Sequence, residues 1–208
     1  KYNVVILEKK NKVGLVNSSR NTEVIHSGAY YQENTLKSKL SIRGKNLLYE
    51  FCEKHKIKYK KIGKIFLALD QSETLNLEKI YNQSIINGLN DLQFLNQKDL
   101  FLKENNLRSF AGLLSPSTGI LNSYELITTL ENLNTDNGVI ISLNTSFKHA
   151  RCVKDSWEIS FTDLNSEEKI NTKFIINSAG LNSVDITKKI FPKIDFPVLN
   201  PTKGSYLR

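Results

Sequence analysis

The sequence predicts a mixed α/β fold, in which a buried parallel sheet is interwoven with an antiparallel sheet. Residues 4–7 and residues 174–176 are continuously apolar, as parallel strands covered on both faces usually are. The segment around Trp157 alternates polar and apolar residues, which is typical of a solvated antiparallel strand. Helix-like and strand-like segments alternate between these regions, and 208 residues suffice for one large domain or two small ones.

The predicted helices are identified by apolar residues at helical spacing and by capping residues. In the longest, Leu36, Leu40 and Leu47 recur on one face after Asn34, which can cap the first turn. Ser72 and Asn96 are the predicted caps of the next two helices. The predicted helical segments are residues 35–54, 73–87, 97–104, 123–136 and 183–190.

The predicted strands are short apolar or alternating runs bounded by Gly, Asn and Ser. They cover residues 4–7, 64–69, 92–95, 111–115, 139–143, 146–153, 157–162 and 170–176. A turn at residues 116–119 leads into a further extended segment at residues 120–122.

The net charge of +8 comes from dispersed lysines, and the densest group of them lies in residues 54–61. Such a group could bind nucleic acid or an anionic membrane surface. It also suits a solvated helix end followed by an edge strand, where lysines suppress pairing with other chains. We therefore expect no nucleic-acid partner.

The cysteines indicate an intracellular protein without a metal centre. Cys52 and Cys152 lie far apart and lack the spacing of metal ligands, so we expect buried, reduced thiols and no metal site. No apolar run approaches the about 20 residues that cross a membrane, so no transmembrane segment is predicted. The chain contains no Met and opens directly on a strand-like run, so we expect an internal piece of a longer protein.

Residues 16–31 carry the strongest chemical signal. They combine small hydroxyl and amide side chains with His26, Gly28 and the adjacent Tyr30 and Tyr31. Small polar residues can expose backbone N–H groups to an anion, and Gly28 permits close approach of a flat ligand. The same residues would also suit a capped helix start followed by a buried hairpin edge, so both interpretations stay open.

Two further positions fit a dinucleotide site. Glu8 follows the first predicted strand, and a carboxylate at the carboxyl end of a parallel strand can bind the hydroxyl pair of a ribose. Residues 177–180 (Asn-Ser-Ala-Gly) follow another predicted strand, and small residues there let a backbone approach a phosphate or a ring. Each signal is weak alone, since surface carboxylates and Ala-Gly turns are common.

These segments belong to a longer, collinear series of motifs. The series runs through Ser18-Ser19-Arg20-Asn21, Val24-Ile25-His26-Ser27-Gly28, Tyr30-Tyr31, Leu36-Lys37-Ser38-Lys39-Leu40, Gly63-Lys64-Ile65, Pro116-Ser117-Thr118-Gly119-Ile120 and Asn177-Ser178-Ala179-Gly180-Leu181. In this order it resembles the FAD-dependent oxidoreductases of the D-amino-acid-oxidase and glycerol-3-phosphate-dehydrogenase superfamily. Within that superfamily it most resembles the L-2-hydroxyglutarate oxidase/dehydrogenase family, over nearly the whole chain.

The resemblance implies an FAD-binding Rossmann-like domain, incomplete at its N-terminus, interwoven with an antiparallel-sheet substrate domain. The glycine-rich phosphate loop expected before the first strand is not in the sequence. Residues 1–55 and 123–190 would belong to the FAD-binding domain. Residues 56–122 would belong to the substrate domain, and residues 191–208 would begin a return to it.

The resemblance also implies a reaction, the FAD-dependent oxidation of an L-2-hydroxy acid, foremost L-2-hydroxyglutarate to 2-oxoglutarate, by hydride transfer to flavin N5. Glycerol 3-phosphate or an amino acid is an alternative substrate, and a non-catalytic basic binding module is an alternative of another class. The expected partners are a small dicarboxylate substrate and an electron acceptor, either oxygen or a membrane quinone. The expected location is the cytoplasm, with peripheral association at the inner membrane as a further option.

By motif position the resemblance implies two sets of site residues. His26 would be the base or a substrate orienter, because imidazole accepts a proton near neutral pH, although a structural histidine is an equal alternative. Tyr31 is the second catalytic candidate, since the phenol of Tyr31 or Tyr30 can bind a substrate carboxylate. The cofactor-binding residues would be Glu8, Lys9, Ser18, Ser19, Arg20, Asn21, Phe147, Ala179 and Gly180, with Glu8 at the adenosine ribose and Phe147 in the strand that contacts adenine.

The sequence departs from the family pattern at two places. Asn122 stands where the family usually has Asp, and residues 203–206 (Lys-Gly-Ser-Tyr) replace an Arg-Gly-acid-Tyr pattern. If these positions contact substrate, lysine provides a point charge where arginine would bind a carboxylate through two hydrogen bonds. Glutarate specificity is therefore less firmly predicted than dependence on a flavin.

Overall fold

The computed structural model describes residues 2–164, 166–201 and 204. The helices are α1 (Leu36–Lys54), α2 (Thr74–Ile86), α3 (Gln97–Lys103), α4 (Ser123–Asp136) and α5 (Ser183–Ile190). The strands are β1 (Val5–Leu7), β2 (Val24–Ile25), β3 (Tyr59–Lys60), β4 (Lys64–Ala68), β5 (Gln93–Asn96), β6 (Ala111–Ser115), β7 (Gly119–Leu121), β8 (Ile140–Ser142), β9 (Ser146–Val153), β10 (Ser156–Thr162) and β11 (Glu167–Thr172).

The strands form both parallel and antiparallel sheets, which confirms the predicted mixed α/β class. β1 pairs with β8 in parallel, with Ile6 opposite Ile141. The antiparallel sheets have the strand orders β11-β10-β9, β2-β7-β3 and β4-β6-β5. Across the described ranges, no helix is long and apolar enough to cross a membrane.

The chain divides into two compact units, and the boundary falls inside α4. The terminal unit contains the chain up to Arg20 and from Leu130 onward, and the central unit is Asn21–Thr129. Residues 21–55 thus group with residues 56–129, whereas the sequence interpretation placed them in the FAD-binding domain. The assignment of cofactor and substrate domains stays a prediction.

The central unit has two apolar clusters. One joins α2 to the β4-β6-β5 sheet, and its buried members are Ala29, Ala68, Leu77, Leu89, Leu92 and Leu113. The other joins α1 to the β2-β7-β3 sheet, and its buried members are Ile25, Tyr49, Cys52, Ile57 and Leu121. Removal of these side chains from water is the main favourable contribution to folding of this unit.

The orientation of α1 differs from the prediction that its leucines form the packed face. Leu36 is 74% exposed, whereas Lys45 and Tyr49 on the other face are buried. The Lys45 Nζ donates to Ser117 Oγ (2.9 Å), and the Tyr49 hydroxyl donates to the Ser117 carbonyl (3.0 Å). The buried face of α1 therefore makes polar contacts with the distant turn at residues 116–119. Helical periodicity alone does not predict such contacts.

Two predicted caps are wrong and one is confirmed. Thr35, not Asn34, caps α1 by accepting from the Ser38 N–H. Asp70, not Ser72, caps the short 3-10 turn before α2. Its carboxylate accepts a charge-assisted hydrogen bond, which is stronger than one to a hydroxyl. Asn96 caps α3 in a reciprocal capping box, as predicted from its position before that helix.

In the terminal unit, the prediction of apolar strands buried on both faces is wrong. Val4 and Val5 in the first run are exposed, and β8 is the described partner of β1. β11 ends at Thr172, so residues 174–176 form no described strand, and Phe174 and Ile176 are 66% and 87% exposed. Continuous apolar sequence predicted burial, but burial also requires neighbouring elements on both faces.

The two cysteines have different environments. Cys52 is fully buried, as predicted, and burial raises the pKa of its thiol, so the protonated form is favoured. Cys152 on β9 is exposed, contrary to the prediction, and its Sγ donates to the Lys154 carbonyl. Ala150, two residues earlier on the same face of β9, is buried, so the face of the strand does not by itself decide the exposure of Cys152.

Gly119 and Gly44 provide a matched test of the α1–β7 packing. A Cβ at Gly119 would collide with the Tyr49 hydroxyl and lie 2.5 Å from the Lys60 carbonyl oxygen, whereas a Cβ at Gly44 meets nothing within 4 Å. We expect Gly119→Ala to lower the free energy of unfolding by about 1–3 kcal/mol, because the strand must shift. Gly44→Ala, inside a helix, should raise it by about 0.5–1 kcal/mol. Urea unfolding measures both, and equal effects would contradict the observed packing.

Candidate active site and cofactor site

His26 is positioned by the short strand that precedes it. β2 pairs antiparallel with β7, with Ile25 opposite Gly119, and Ile25 is buried in the α1 cluster. His26 is the next residue and is exposed. The strand therefore anchors the backbone of His26, while its ring remains accessible to a ligand.

The loop after His26 is fixed from two directions. Gly28 has a φ of +87°, and a Cβ there would lie 2.9 Å from Ile42 Cγ1 of α1, so glycine is required. The Asn87 side-chain amide donates to the Gly28 carbonyl (3.2 Å) and to the Tyr31 carbonyl (2.8 Å). Ala29 is fully buried. The backbone that carries Tyr30 and Tyr31 is therefore held in place by Asn87 and by the packing of Gly28 against α1.

The rings of Tyr30 and Tyr31 lie 4.7 Å apart, and each has an ammonium group over it. The Lys37 Nζ lies 4.4 Å from the Tyr31 ring centre, and the Lys64 Nζ lies 5.0 Å from the Tyr30 ring centre. The Lys64 Nζ also lies 4.5 Å from the Phe66 ring centre. Such cation–π contacts are favourable and hold the lysines near the rings.

Sequence reasoning gave these two lysines no role. Both lie in motifs that carry the family resemblance, Lys37 in Leu36-Lys37-Ser38-Lys39-Leu40 and Lys64 in Gly63-Lys64-Ile65. Lys37 is in the first turn of α1 and Lys64 is the first residue of β4, so only the folded chain shows that both adjoin the tyrosines.

The environment of His26 favours its neutral form. Although His26 is exposed overall, the atoms around its ring exclude part of the solvent, and this desolvation lowers the pKa of His26 below its ordinary value of 6.5; the positive charges of Lys64 and Lys37 lower it further. Partial burial also raises the pKa of Tyr30, with a hydrogen bond to Tyr31 as the next cause. At neutral pH the site therefore combines a proton acceptor with phenolic hydrogen-bond donors.

Glu8 and Phe147 are brought into one region of the terminal unit. The Glu8 N–H donates to the Ser142 carbonyl (2.9 Å), and the Thr145 N–H donates to the Glu8 carbonyl (2.9 Å). These bonds fix Glu8 at the carboxyl end of the parallel β1–β8 pair, beside the turn that leads to Phe147 on β9. The Glu8 Oε1 accepts from the Lys10 N–H (2.8 Å), while the neighbouring Lys9 is exposed. Glu8 thus lies where a ribose-binding carboxylate is expected.

Two further segments that contain predicted cofactor-binding residues, residues 17–20 and residues 177–180, lie next to each other. Ser18 and Ser19 belong to a short 3-10 helix, Asn17–Ser19, and a Cβ at Gly180 would lie 3.5 Å from the Asn17 amide nitrogen. The Asn177 side chain donates to the Ser183 carbonyl (2.8 Å) and accepts from the Ala179 N–H (3.3 Å), which shapes the turn at residues 177–180. These small residues would let a flat, phosphate-bearing group approach the backbone. The arrangement fits a dinucleotide such as FAD.

The predicted site residues are divided between the two units. His26, Tyr31 and Asn21 belong to the central unit. The terminal unit contains Glu8, Lys9, Ser18, Ser19, Arg20, Phe147, Ala179 and Gly180. No group of three or more metal-ligating side chains occurs among the residues whose positions are described.

The family of FAD dependent oxidoreductases matches residues 1–208. The chain belongs to this family. The match confirms the predicted family and its cofactor, FAD, and the family is one of oxidoreductase enzymes, not of basic binding modules.

Curated relatives are similar over most of this chain. It is 30% identical to human L-2-hydroxyglutarate dehydrogenase, mitochondrial, over 97% of the chain and 45% of the relative. It is 32% identical to the enzyme of that name from Caenorhabditis briggsae, over 98% of the chain and 47% of the relative. The chain therefore spans about half the length of the curated relatives that it matches.

Solved structures show the same fold. L-α-glycerophosphate oxidase from Mycoplasma pneumoniae with FAD bound has a TM-score of 0.79 at 24% identity, over 86% of this chain and 48% of that one. Glycine oxidase from Geobacillus kaustophilus has a TM-score of 0.79 at 16% identity, over 91% of this chain and 52% of that one. At these identities the likeness concerns the fold alone, and it confirms the predicted fold class.

Of the two departures from the family pattern, at Asn122 and at residues 203–206, the structure describes the contacts of the first. The Asn122 Oδ1 accepts from the Glu125 N–H (3.0 Å), and its N–H donates to the Lys58 carbonyl (2.9 Å), so Asn122 caps the start of α4. Of residues 203–206, Lys203, Ser205 and Tyr206 lie outside the described residues.

We predict that the imidazole of His26 titrates at lower pH in the folded chain than in the urea-denatured chain, because burial and two cations oppose its protonation. Well above pH 6.5 His26 is neutral in both states. As pH falls below that value the unfolded chain binds the proton first, so the free energy of unfolding decreases until the pH passes the lowered folded-state pKa. NMR titration of the ring resonances measures both values.

A matched pair of variants tests the cause. Lys64→Gln should raise the pKa of His26, and Lys39→Gln, at an exposed position of α1 that is not among the charges acting on His26, should leave it unchanged. An unshifted pKa in Lys64→Gln would contradict the assigned electrostatic cause.

Proposed function

We propose that this protein is an FAD-dependent enzyme that oxidises an L-2-hydroxy acid, L-2-hydroxyglutarate, to 2-oxoglutarate. The observation that carries the proposal is that Lys37 and Lys64, whose charges lower the pKa of His26, lie over the rings of Tyr31 and Tyr30, so the histidine and the tyrosines share one charged environment. Membership of the FAD dependent oxidoreductase family and similarity to proteins named L-2-hydroxyglutarate dehydrogenase support it.

The cofactor-binding residues, all but Asn21 in the terminal unit, are proposed from their positions in the chain. Glu8 would accept hydrogen bonds from the adenosine ribose, Phe147 would lie in the strand at the adenine, and Ala179 and Gly180 would adjoin the cofactor through their backbones. Ser18, Ser19, Arg20 and Asn21 would bind the pyrophosphate and flavin region, and Lys9 would add a positive charge near Glu8. When bound, FAD supplies a two-electron acceptor for the hydride on the substrate α-carbon.

His26 would take the proton of the substrate hydroxyl on its unprotonated ring nitrogen. Loss of this proton lets the oxygen form the carbonyl of the product as the hydride departs from the α-carbon. The Tyr31 phenol would donate to a substrate carboxylate and fix the α-carbon. Because the pKa of His26 is lowered in the free protein, kcat/KM should fall only as pH drops through that lowered pKa.

The acceptor that reoxidises the flavin, either oxygen or a membrane quinone, stays a prediction. So does the location, cytoplasmic with peripheral association at the inner membrane as an option.

The deciding experiment is anaerobic reduction of the flavin-loaded protein by candidate substrates. The loss of flavin absorbance measures the reduction. We expect L-2-hydroxyglutarate to bleach it, and D-2-hydroxyglutarate, glycerol 3-phosphate and L-amino acids to leave it oxidised. Bleaching by one of the other compounds alone would overturn the substrate and leave the flavin enzyme. A flavin that none of them reduces would overturn the proposed reaction.

His26→Gln should slow the reduction step by about 100-fold or more, because the hydroxyl proton loses its acceptor. His55→Gln is the matched control, since the His55 ring packs on Phe51 at 4.3 Å on the end of α1. Stopped-flow absorbance gives both rates. Equal rates would assign His26 a structural role, whereas partial rescue of His26→Gln by added imidazole would support proton transfer.

Glu8→Gln should weaken FAD binding by about tenfold, because a charge-assisted hydrogen bond to the ribose becomes a neutral one. The amide oxygen can still accept from the Lys10 N–H, so the local turn is preserved. Glu168→Gln on β11, whose carboxylate accepts from Ser166, is the control. Fluorescence titration of the flavin-free protein with FAD measures the affinities, and an unchanged affinity in Glu8→Gln would remove Glu8 from the site.

A further inference from the structure

Two lysine ammonium groups converge on the tyrosine pair from separate elements. Lys37 comes from α1 and Lys64 from β4, and their Nζ atoms lie over the adjacent rings of Tyr31 and Tyr30 at 4.4 Å and 5.0 Å. The two rings are themselves in contact. The fold thus places two positive charges at the tyrosine pair of the central unit, and both charges act on His26.

These cations have no carboxylate partner within the described part of the chain. The ion pairs found there involve Lys58, Arg151 and Lys169. Each ammonium group lies over one ring of a contacting pair, and like charges in one region repel each other more strongly as a ligand excludes water. The charged groups that act on His26 are the same two lysines, with no acidic group among them. An anion bound here would relieve this repulsion.

The groups around the two lysines indicate which kind of anion would bind. Ammonium groups and a phenol are the donors that carboxylates prefer. The Phe66 ring lies edge-on to Tyr30 at 5.8 Å, so an apolar wall adjoins the charges. This combination suits a carboxylate at the end of a short methylene chain.

We propose that Lys37 and Lys64, together with the tyrosine pair, bind the second carboxylate of the substrate and select dicarboxylic over monocarboxylic 2-hydroxy acids. The proposal rests on the proposed function, because it assumes that the 2-hydroxy end lies at His26. Binding has a further consequence for the reaction. A carboxylate between the lysines offsets their field at His26, so the bound substrate makes its own base stronger.

The first test compares L-2-hydroxyglutarate with L-2-hydroxybutyrate, which lacks the second carboxylate, in anaerobic reduction of the flavin-loaded protein. The work is done at pH 8, where His26 is neutral in every variant. Lys37→Gln and Lys64→Gln should each raise the half-saturating concentration of L-2-hydroxyglutarate by about tenfold, because a charge-assisted hydrogen bond is lost. The half-saturating concentration of L-2-hydroxybutyrate, which has no second carboxylate to bind, should be unchanged. Lys39→Gln, exposed on α1, is the matched control.

The second test does not depend on turnover. Glutarate, which has no hydroxyl group to oxidise, should raise the pKa of His26 measured by NMR, and butyrate at the same concentration should not. The effect of glutarate should disappear in the double variant Lys37→Gln/Lys64→Gln.

The outcomes separate this inference from the proposed function. Flavin reduction by both hydroxy acids with equal affinity, unaffected by the lysine variants, would overturn the second-carboxylate site and leave the reaction in place. A lysine-dependent glutarate shift without any flavin reduction would support the dicarboxylate site and overturn the reaction alone. Absence of both effects would overturn the site.

Discussion

The close contact between α1 and β7 at Gly119 is the constraint on which the central unit depends. A glycine there lets the Tyr49 hydroxyl and the Lys60 carbonyl approach the strand more closely than any side chain would allow. β7 pairs on one side with β3 and on the other with β2. The position of β7 therefore sets the register of β2, and β2 sets the position of His26. The close packing at Gly119, about 90 residues after His26 in the sequence, thus fixes the position of the candidate base.

The site obtains its chemistry from an electrostatic imbalance. Lys37 and Lys64 stand near an imidazole and two phenols without a carboxylate partner in the described chain. Unpaired like charges reduce stability, and such local costs are common where a protein binds a charged ligand. Burial lowers the pKa of His26, and the charges of the two lysines lower it further. In the proposed reaction, one feature would therefore serve both anion binding and proton transfer.

In the terminal unit, hydrogen bonds fix the positions of the predicted cofactor-binding residues. The parallel pairing of β1 with β8 and the backbone bonds of Glu8 fix a carboxylate at the end of a strand. The side chain of Asn177 shapes the turn of small residues that adjoins Asn17. These positions depend on hydrogen bonds between residues close in sequence or on neighbouring strands, which is why strand ends and small residues can predict a nucleotide site of this type.

The sequence by itself determined the family and the elements governed by local rules. The bounds of α5 and β9, the Asn96 cap and the fold class were predicted because capping and periodicity act over a few residues. Only the tertiary structure decided which face of α1 is buried, that residues 174–176 are exposed, and that Lys37 and Lys64 meet at the tyrosines. Burial of an apolar residue and the partner of a charge depend on groups that are distant in sequence, and folding alone brings those groups together.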